Sequence, residues 1–122
     1  MPNKRLTYKR GEIWWVDLDP KVGDEVGKTR PCVILQNDVG NKMGGTTIVA
    51  PLGKGSASFP FVVNIAKTPQ NGLDVDRYID LGQMRAVAHQ RVKSICGVLE
   101  ETYWDAIEKA VLIELGFDAV FK

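Results

Sequence analysis

Arg30 is the side chain best placed to do chemistry, because it joins a glycine- and charge-rich stretch to a proline that opens an apolar run. Held by a rigid element, its planar fork can meet two phosphate oxygens at once. Taken alone, an arginine near Asp24 and Glu25 is more often a surface ion pair. Gln83 and Arg85 lie two apart in a strand-like run and are expected to share one face. There an amide and a guanidinium can read a base edge and hold a phosphate, although a solvated strand face is the plainer role. Lys54, Ser56 and Ser58 supply a cation and two hydroxyls in a glycine-flanked loop, where ordinary loop polarity is the common explanation. Glu25, Lys28 and Thr29 sit in the loop before Arg30, with an acid that can accept from base amino groups and a lysine that can meet a phosphate. Phe59 and Phe61 flank Pro60 and can offer a stacking surface, with core packing the plainer role for Phe61. Histidine is the usual general base near neutral pH, but His89 is the only one and sits in no matching motif, so a structural or surface role is expected.

A net charge of +1 argues against bulk, non-specific binding of nucleic acid and leaves room for a local anion site. Cys32 and Cys96 each sit in an apolar run and read as buried thiols. No Cys/His cluster surrounds His89, so no metal site is expected. No stretch approaches the roughly 20 apolar residues of a membrane span, and residues 1–10 are polar and basic, unlike a secretory signal. A cytoplasmic protein is expected.

The elements that must position these side chains are short strands. With 122 residues there is room for one domain: a polar tail over residues 1–9, then a single unit over 10–122. Residues 12–19 are strand formers closed by Pro20, with Trp14, Val16 and Leu18 on one face and Ile13 and Trp15 on the other. Residues 20–29 read as a mobile loop. Residues 31–38 are apolar on both faces, the mark of a central strand. Residues 37–45 read as a turn, 46–52 as a third strand, 53–58 as a second loop and 61–66 as a fourth strand. Residues 78–88 read as one fifth strand and 95–99 as a sixth. Residues 101–115 then switch to helical spacing, with Trp104, Ile107, Val111 and Leu115 on one face. Thr102 and Asp105 resemble a capping box, and Gly116 is placed to end the helix. The expected class is mainly β (α+β), a small antiparallel barrel closed by a C-terminal helix.

Three stretches resemble the MazF/PemK/Kid family of toxin ribonucleases. They are the opening strand over residues 10–20, the glycine-acid loop with Arg30-Pro31 over residues 23–38, and Leu81-Gly82-Gln83-Met84-Arg85. The terminal Ile113-Glu114-Leu115-Gly116 also fits, so the resemblance runs from about residue 8 to 117. It implies an SH3-like plug barrel, a homodimer, and single-stranded RNA in a groove along the dimer interface. It implies cleavage without metal or cofactor: the RNA's 2′-hydroxyl attacks the adjacent phosphate and leaves a 2′,3′-cyclic phosphate and a 5′-hydroxyl. A cognate antitoxin would cover the groove.

The family's catalytic arginine maps onto Arg30, where phosphate stabilisation and proton donation suit a guanidinium better than a base's role. The family's second catalytic position is a threonine or serine hydroxyl just after the third strand. It falls on Gly53, so this sequence departs from the pattern. Ser56 is expected to supply the hydroxyl and Arg85 to complete the catalytic set, although Ala86, Val87 and Ala88 follow it where some relatives carry an acid. Glu25, Lys28, Thr29, Lys54, Ser58, Phe59 and Gln83 are expected to contact RNA. Two other readings are a non-catalytic, CcdB-like gyrase-binding toxin on the same fold and an inactive member that binds antitoxin.

Overall fold

A computed structural model describes residues 7–117. The outer parts of the expected tail and domain, residues 1–6 and 118–122, lie outside the described residues. The order is β1 (Glu12–Asp17), β2 (Thr29–Ile34), α1 (Asp38–Met43), β3 (Thr46–Lys54), β4 (Val62–Ile65), β5 (Arg77–Asp80), β6 (Arg85–Ala88), β7 (Val92–Val98) and α2 (Trp104–Glu114). All strand pairings are antiparallel. The sheet runs β4-β5-β3-β2-β1-β7, and β6 lies beside β5 along the same edge of β3. The expected antiparallel strands and terminal helix are present, but the barrel is not closed by pairing, because β4 and β7 are the two ends of this order.

Alternation along the strands builds two cores. Ile13, Val33, Ala50, Leu52 and Ile79 point to one face, where Ile107 and Ala110 of α2 cover them. Trp14, Val16, Leu18, Cys32, Ile34 and Val49 point to the other, joined by Val87 and Val92. The faces expected for Trp14, Val16, Leu18 and Ile13 are therefore observed, while Trp15 is partly exposed. Each fully buried Val, Leu or Ile stabilises by about 1.5–3 kcal/mol, so these two layers hold the sheet. Tyr8, inside the expected tail, is buried against Trp14, with its ring edge-on.

Three expectations about local structure need correction. Residues 37–45 are not just a turn: Asn37 caps α1 by accepting from the Gly40 N–H at 2.8 Å. Asn41 of that helix is buried on Thr47 Oγ1 at 2.6 Å. The single strand expected over residues 78–88 is two strands, split by a 3-10 turn at Leu81–Gln83 that Asp80 caps through the Gly82 N–H. The Thr102/Asp105 capping box does not form, since α2 is entered through a 3-10 turn at Glu101–Tyr103 with no side-chain cap. Gly116 does end the helix: at φ 77°, its N–H donates to the Ile113 carbonyl and that of Phe117 to the Leu112 carbonyl, a Schellman closure.

Candidate active site

The site is built on the sheet face that carries Arg30. In the β2–β3 register Cys32 lies opposite Pro51 and Val33 opposite Ala50. Continued two residues further, the same register sets Arg30 opposite Gly53. Gly53 in turn lies opposite Tyr78 on β5, and Tyr78 opposite Asn64 on β4. Arg30, Gly53, Tyr78 and Asn64 thus form one row across four strands, and residues in such a row share a face. The glycine in the middle lets the Tyr78 ring lie close over the β3 backbone.

A small polar cavity of about 180 Å³ opens there, lined among others by Lys21, Glu25, Arg30, Gly53, Tyr78 and Asp80. Arg30 is half-buried, and its Nε donates to the Gly27 carbonyl at 2.9 Å. That bond anchors the stem, and neither terminal NH2 group has a hydrogen-bond partner among the described residues. The loop under it continues the β1–β2 hairpin: the Leu18 N–H donates to the Lys28 carbonyl at 2.9 Å and the Lys28 N–H to Asp19 Oδ1 at 2.7 Å. The Val26 N–H donates to Gln83 Oε1 at 3.2 Å, which ties the loop to the 3-10 turn. Residues 20–29, read from sequence as mobile, are thus fastened at several points. Lys28 itself takes a left-handed φ of 66°.

Electrostatics separate the acids and thiols of this region. Burial raises the Asp80 carboxyl above the usual carboxylate range, against the opposing hydrogen bonds from the Gly82 and Gln83 N–H groups. Burial also pushes the Cys32 thiol far up, with Cys96 adding to the effect and the charges of Arg30 and Arg85 opposing it. Cys32 is therefore a protonated, inert core thiol. Cys96, expected to be buried, is only partly so.

The remaining expected site residues are spread more widely. Gln83 and Arg85 do not share one strand: Gln83 ends the 3-10 turn and holds the loop, whereas Arg85 begins β6. Arg85 Nη1 reaches the Leu18 carbonyl only at 3.5 Å. Glu25 accepts from the Val22 N–H at 2.9 Å within its own loop. Thr29, the first residue of β2, pairs with Asp17 of β1. Lys54 follows Gly53 on β3 and so points to the opposite face. Ser56 is not brought to Arg30; it lines a separate cavity with Asn64, Arg77 and Tyr103. Ser58 and Phe59 line a third hollow, where Phe59 stacks on Phe61 with centroids 5.3 Å apart. His89 is structural: it is bonded to the Tyr8 hydroxyl through Nδ1, and its Nε2 is 2.6 Å from the Gly44 carbonyl.

Tyr78 and Asp80 were missed from sequence, because only the pairing of β5 with β3 brings them beside Arg30. A signal existed in Gly53 itself, since a glycine inside a strand often marks a close approach. A larger, mainly apolar cavity of about 460 Å³ lies beside α2, lined by Leu35, Ile48, Met84 and Val111 among others. Its lining suits apolar packing, while the Arg30 cavity suits an anion. The latter can hold a phosphate by a bidentate guanidinium, with a phenol and carboxylates at hand for proton transfer.

A family model described as PemK-like, MazF-like toxin of type II toxin-antitoxin system matches residues 9–115. An endoribonuclease MazF from Staphylococcus epidermidis is 38% identical over 112 residues, covering 90% of this chain and 92% of that protein. Endoribonuclease EndoA from Bacillus subtilis (strain 168) is 35% identical, with 91% and 97% covered. Among solved structures, MazF from Deinococcus radiodurans superposes with a TM-score of 0.77 at 19% identity, covering 91% of this chain and 98% of that one. An endoribonuclease in complex with its cognate antitoxin from a mycobacterial species gives a TM-score of 0.74 at 15% identity, with 92% and 98% covered. These last two likenesses establish the fold.

Proposed function

This chain belongs to the PemK-like, MazF-like toxin family of type II toxin–antitoxin systems, and from that membership we propose that it is an endoribonuclease that cuts single-stranded RNA without a metal ion. The observation that carries the reading is Arg30, anchored by Gly27 at a polar cavity that Gly53 and Tyr78 also line. The substrate brings its own nucleophile: the 2′-oxygen attacks phosphorus, the P–O5′ bond breaks, and 2′,3′-cyclic phosphate and 5′-hydroxyl ends result. The protein must then hold the phosphate and stabilise charge on its oxygens, which a guanidinium fork does. Arg85 adds positive charge from β6. Lys28 and Thr29 beside Arg30, Glu25 and Gln83 around the loop, and the exposed Phe59 are the RNA contacts we assign by position. Lys54, Ser56 and Ser58 stand at the far end of β3, where they suit RNA leaving the cavity.

We also propose that the chain acts as one domain, as a homodimer, in the cytoplasm. Exposed Trp15, Ile48, Ile95 and Val98 on the sheet offer apolar surface for self-association. A free Cys32 and Cys96 suit a reducing compartment, and no described helix is long and apolar enough to cross a membrane. A cognate antitoxin is the second protein partner, as one structural neighbour's complex suggests.

Induced expression in a bacterial host tests the reading. Wild type is expected to arrest growth with cellular RNA cut at recurrent sites, and Arg30→Ala to relieve both effects. Arrest with intact RNA, persisting in Arg30→Ala, would point instead to a gyrase-type binder.

A further inference from the structure

Gly53 stands where a side chain would face Arg30, yet the space is not empty. A Cβ at residue 53 would be driven into the ring of Tyr78, with Cε1 at 2.6 Å and Cζ and the hydroxyl closer still. The phenol of β5 therefore leans across β3 and sets its hydroxyl over the bare glycine, in the cavity that Arg30 lines. Tyr78 is half-buried, and its hydroxyl, open to the cavity, has no hydrogen-bond partner among the described residues. By contrast, Arg30 is anchored through Nε and Asp80 through the Gly82 N–H. The nearest hydroxyls in sequence after β3, Ser56 and Ser58, line other cavities.

We infer that Tyr78 is the proton donor to the leaving group, its hydroxyl reaching across Gly53 to the phosphate that Arg30 holds. The inference rests on the ribonuclease reading. As the 2′-oxygen forms its bond to phosphorus, its proton passes to water in the open cavity. As the P–O5′ bond breaks, the electron pair goes to the 5′-oxygen, which takes the Tyr78 proton. The phenolate is then reprotonated from water, so the enzyme returns unchanged. Gly53 is part of the device, since any Cβ there would displace the ring.

The test is Tyr78→Phe against two RNAs that share a cut site mapped with wild type, one natural and one with sulfur in place of the bridging 5′-oxygen. A thiolate leaves without a proton, so only the natural RNA needs the acid. The variant is expected to lose about 10²-fold or more in kcat on the natural RNA, with KM little changed, and to match wild type on the sulfur RNA. A second variant keeps a hydroxyl in the gap: Gly53→Thr in a Tyr78→Ala background is expected to recover part of the activity that Tyr78→Ala loses. Tyr78→Phe cutting natural RNA as fast as wild type would overturn the inference, and so would equal losses on both RNAs. If wild type itself leaves natural RNA intact, the ribonuclease reading fails and the inference falls with it.

Discussion

Replacing Arg30 with alanine tests the geometry of the site most sharply. Its Nε is used by the Gly27 carbonyl, so the two terminal NH2 groups are what a bound phosphate would receive. Two hydrogen bonds from a charged donor contribute about 1.5–3 kcal/mol each. Their loss in the transition state raises the barrier by about 3–6 kcal/mol, or roughly 10²–10⁴-fold in rate. The cost to stability is much smaller. One half-exposed hydrogen bond of about 1 kcal/mol corresponds to a Tm lower by about 4 °C. Arg30→Lys keeps the charge without the fork, so its rate should fall between the two. The assay is single-turnover cleavage of a fluorophore–quencher oligonucleotide at saturating protein, beside thermal unfolding of each variant. Arg30→Ala cutting within about threefold of wild type, less than about 0.7 kcal/mol of barrier, would remove the guanidinium fork from the reaction.

Two further predictions concern the fold. Burial raises the Asp80 carboxyl, so the native state favours its protonated form. The linked stability is present below the unfolded pKa of about 3.9 and is lost as pH rises through the higher folded value. Asp80→Asn, whose amide oxygen can still accept from the Gly82 N–H, should therefore melt above wild type at neutral pH, with the gap closing on acidification. A gap that ignores pH in melting scans would count against this. Gly72 has φ 71°, and a Cβ there would run into the Cys96 carbonyl. Gly72→Ala should lose about 3 kcal/mol or more in denaturant titration, and an unchanged midpoint would contradict the packing described.

The strands were legible because their burial follows the sequence alternation. Ile13 against Trp14 and Val16, and Val33 against Cys32 and Ile34, divide between the two cores as a period of two requires. The breaks were harder to read. Residues 78–88 look like one run, but the short Asx cap of Asp80 on Gly82 wins locally and turns the chain. Gly40, Gly44 and Gly45 argue against a helix, yet the Asn37 cap and the buried Asn41–Thr47 bond outweigh them. In the site, Arg30 was legible from its neighbours on either side. Tyr78 was not, because its meeting with Arg30 depends on two strand registers set far apart in sequence. The same distance explains Ser56: it follows Gly53 closely in the chain, but the strand carries it beyond the cavity.

Metal-independent cleavage is tested by incubating the purified protein with mixed-sequence RNA in EDTA and analysing the fragment ends. Discrete fragments with 2′,3′-cyclic phosphate and 5′-hydroxyl ends are expected, formed as fast with the chelator as without. RNA left intact by folded protein, or cleavage that EDTA abolishes, would contradict a metal-independent ribonuclease.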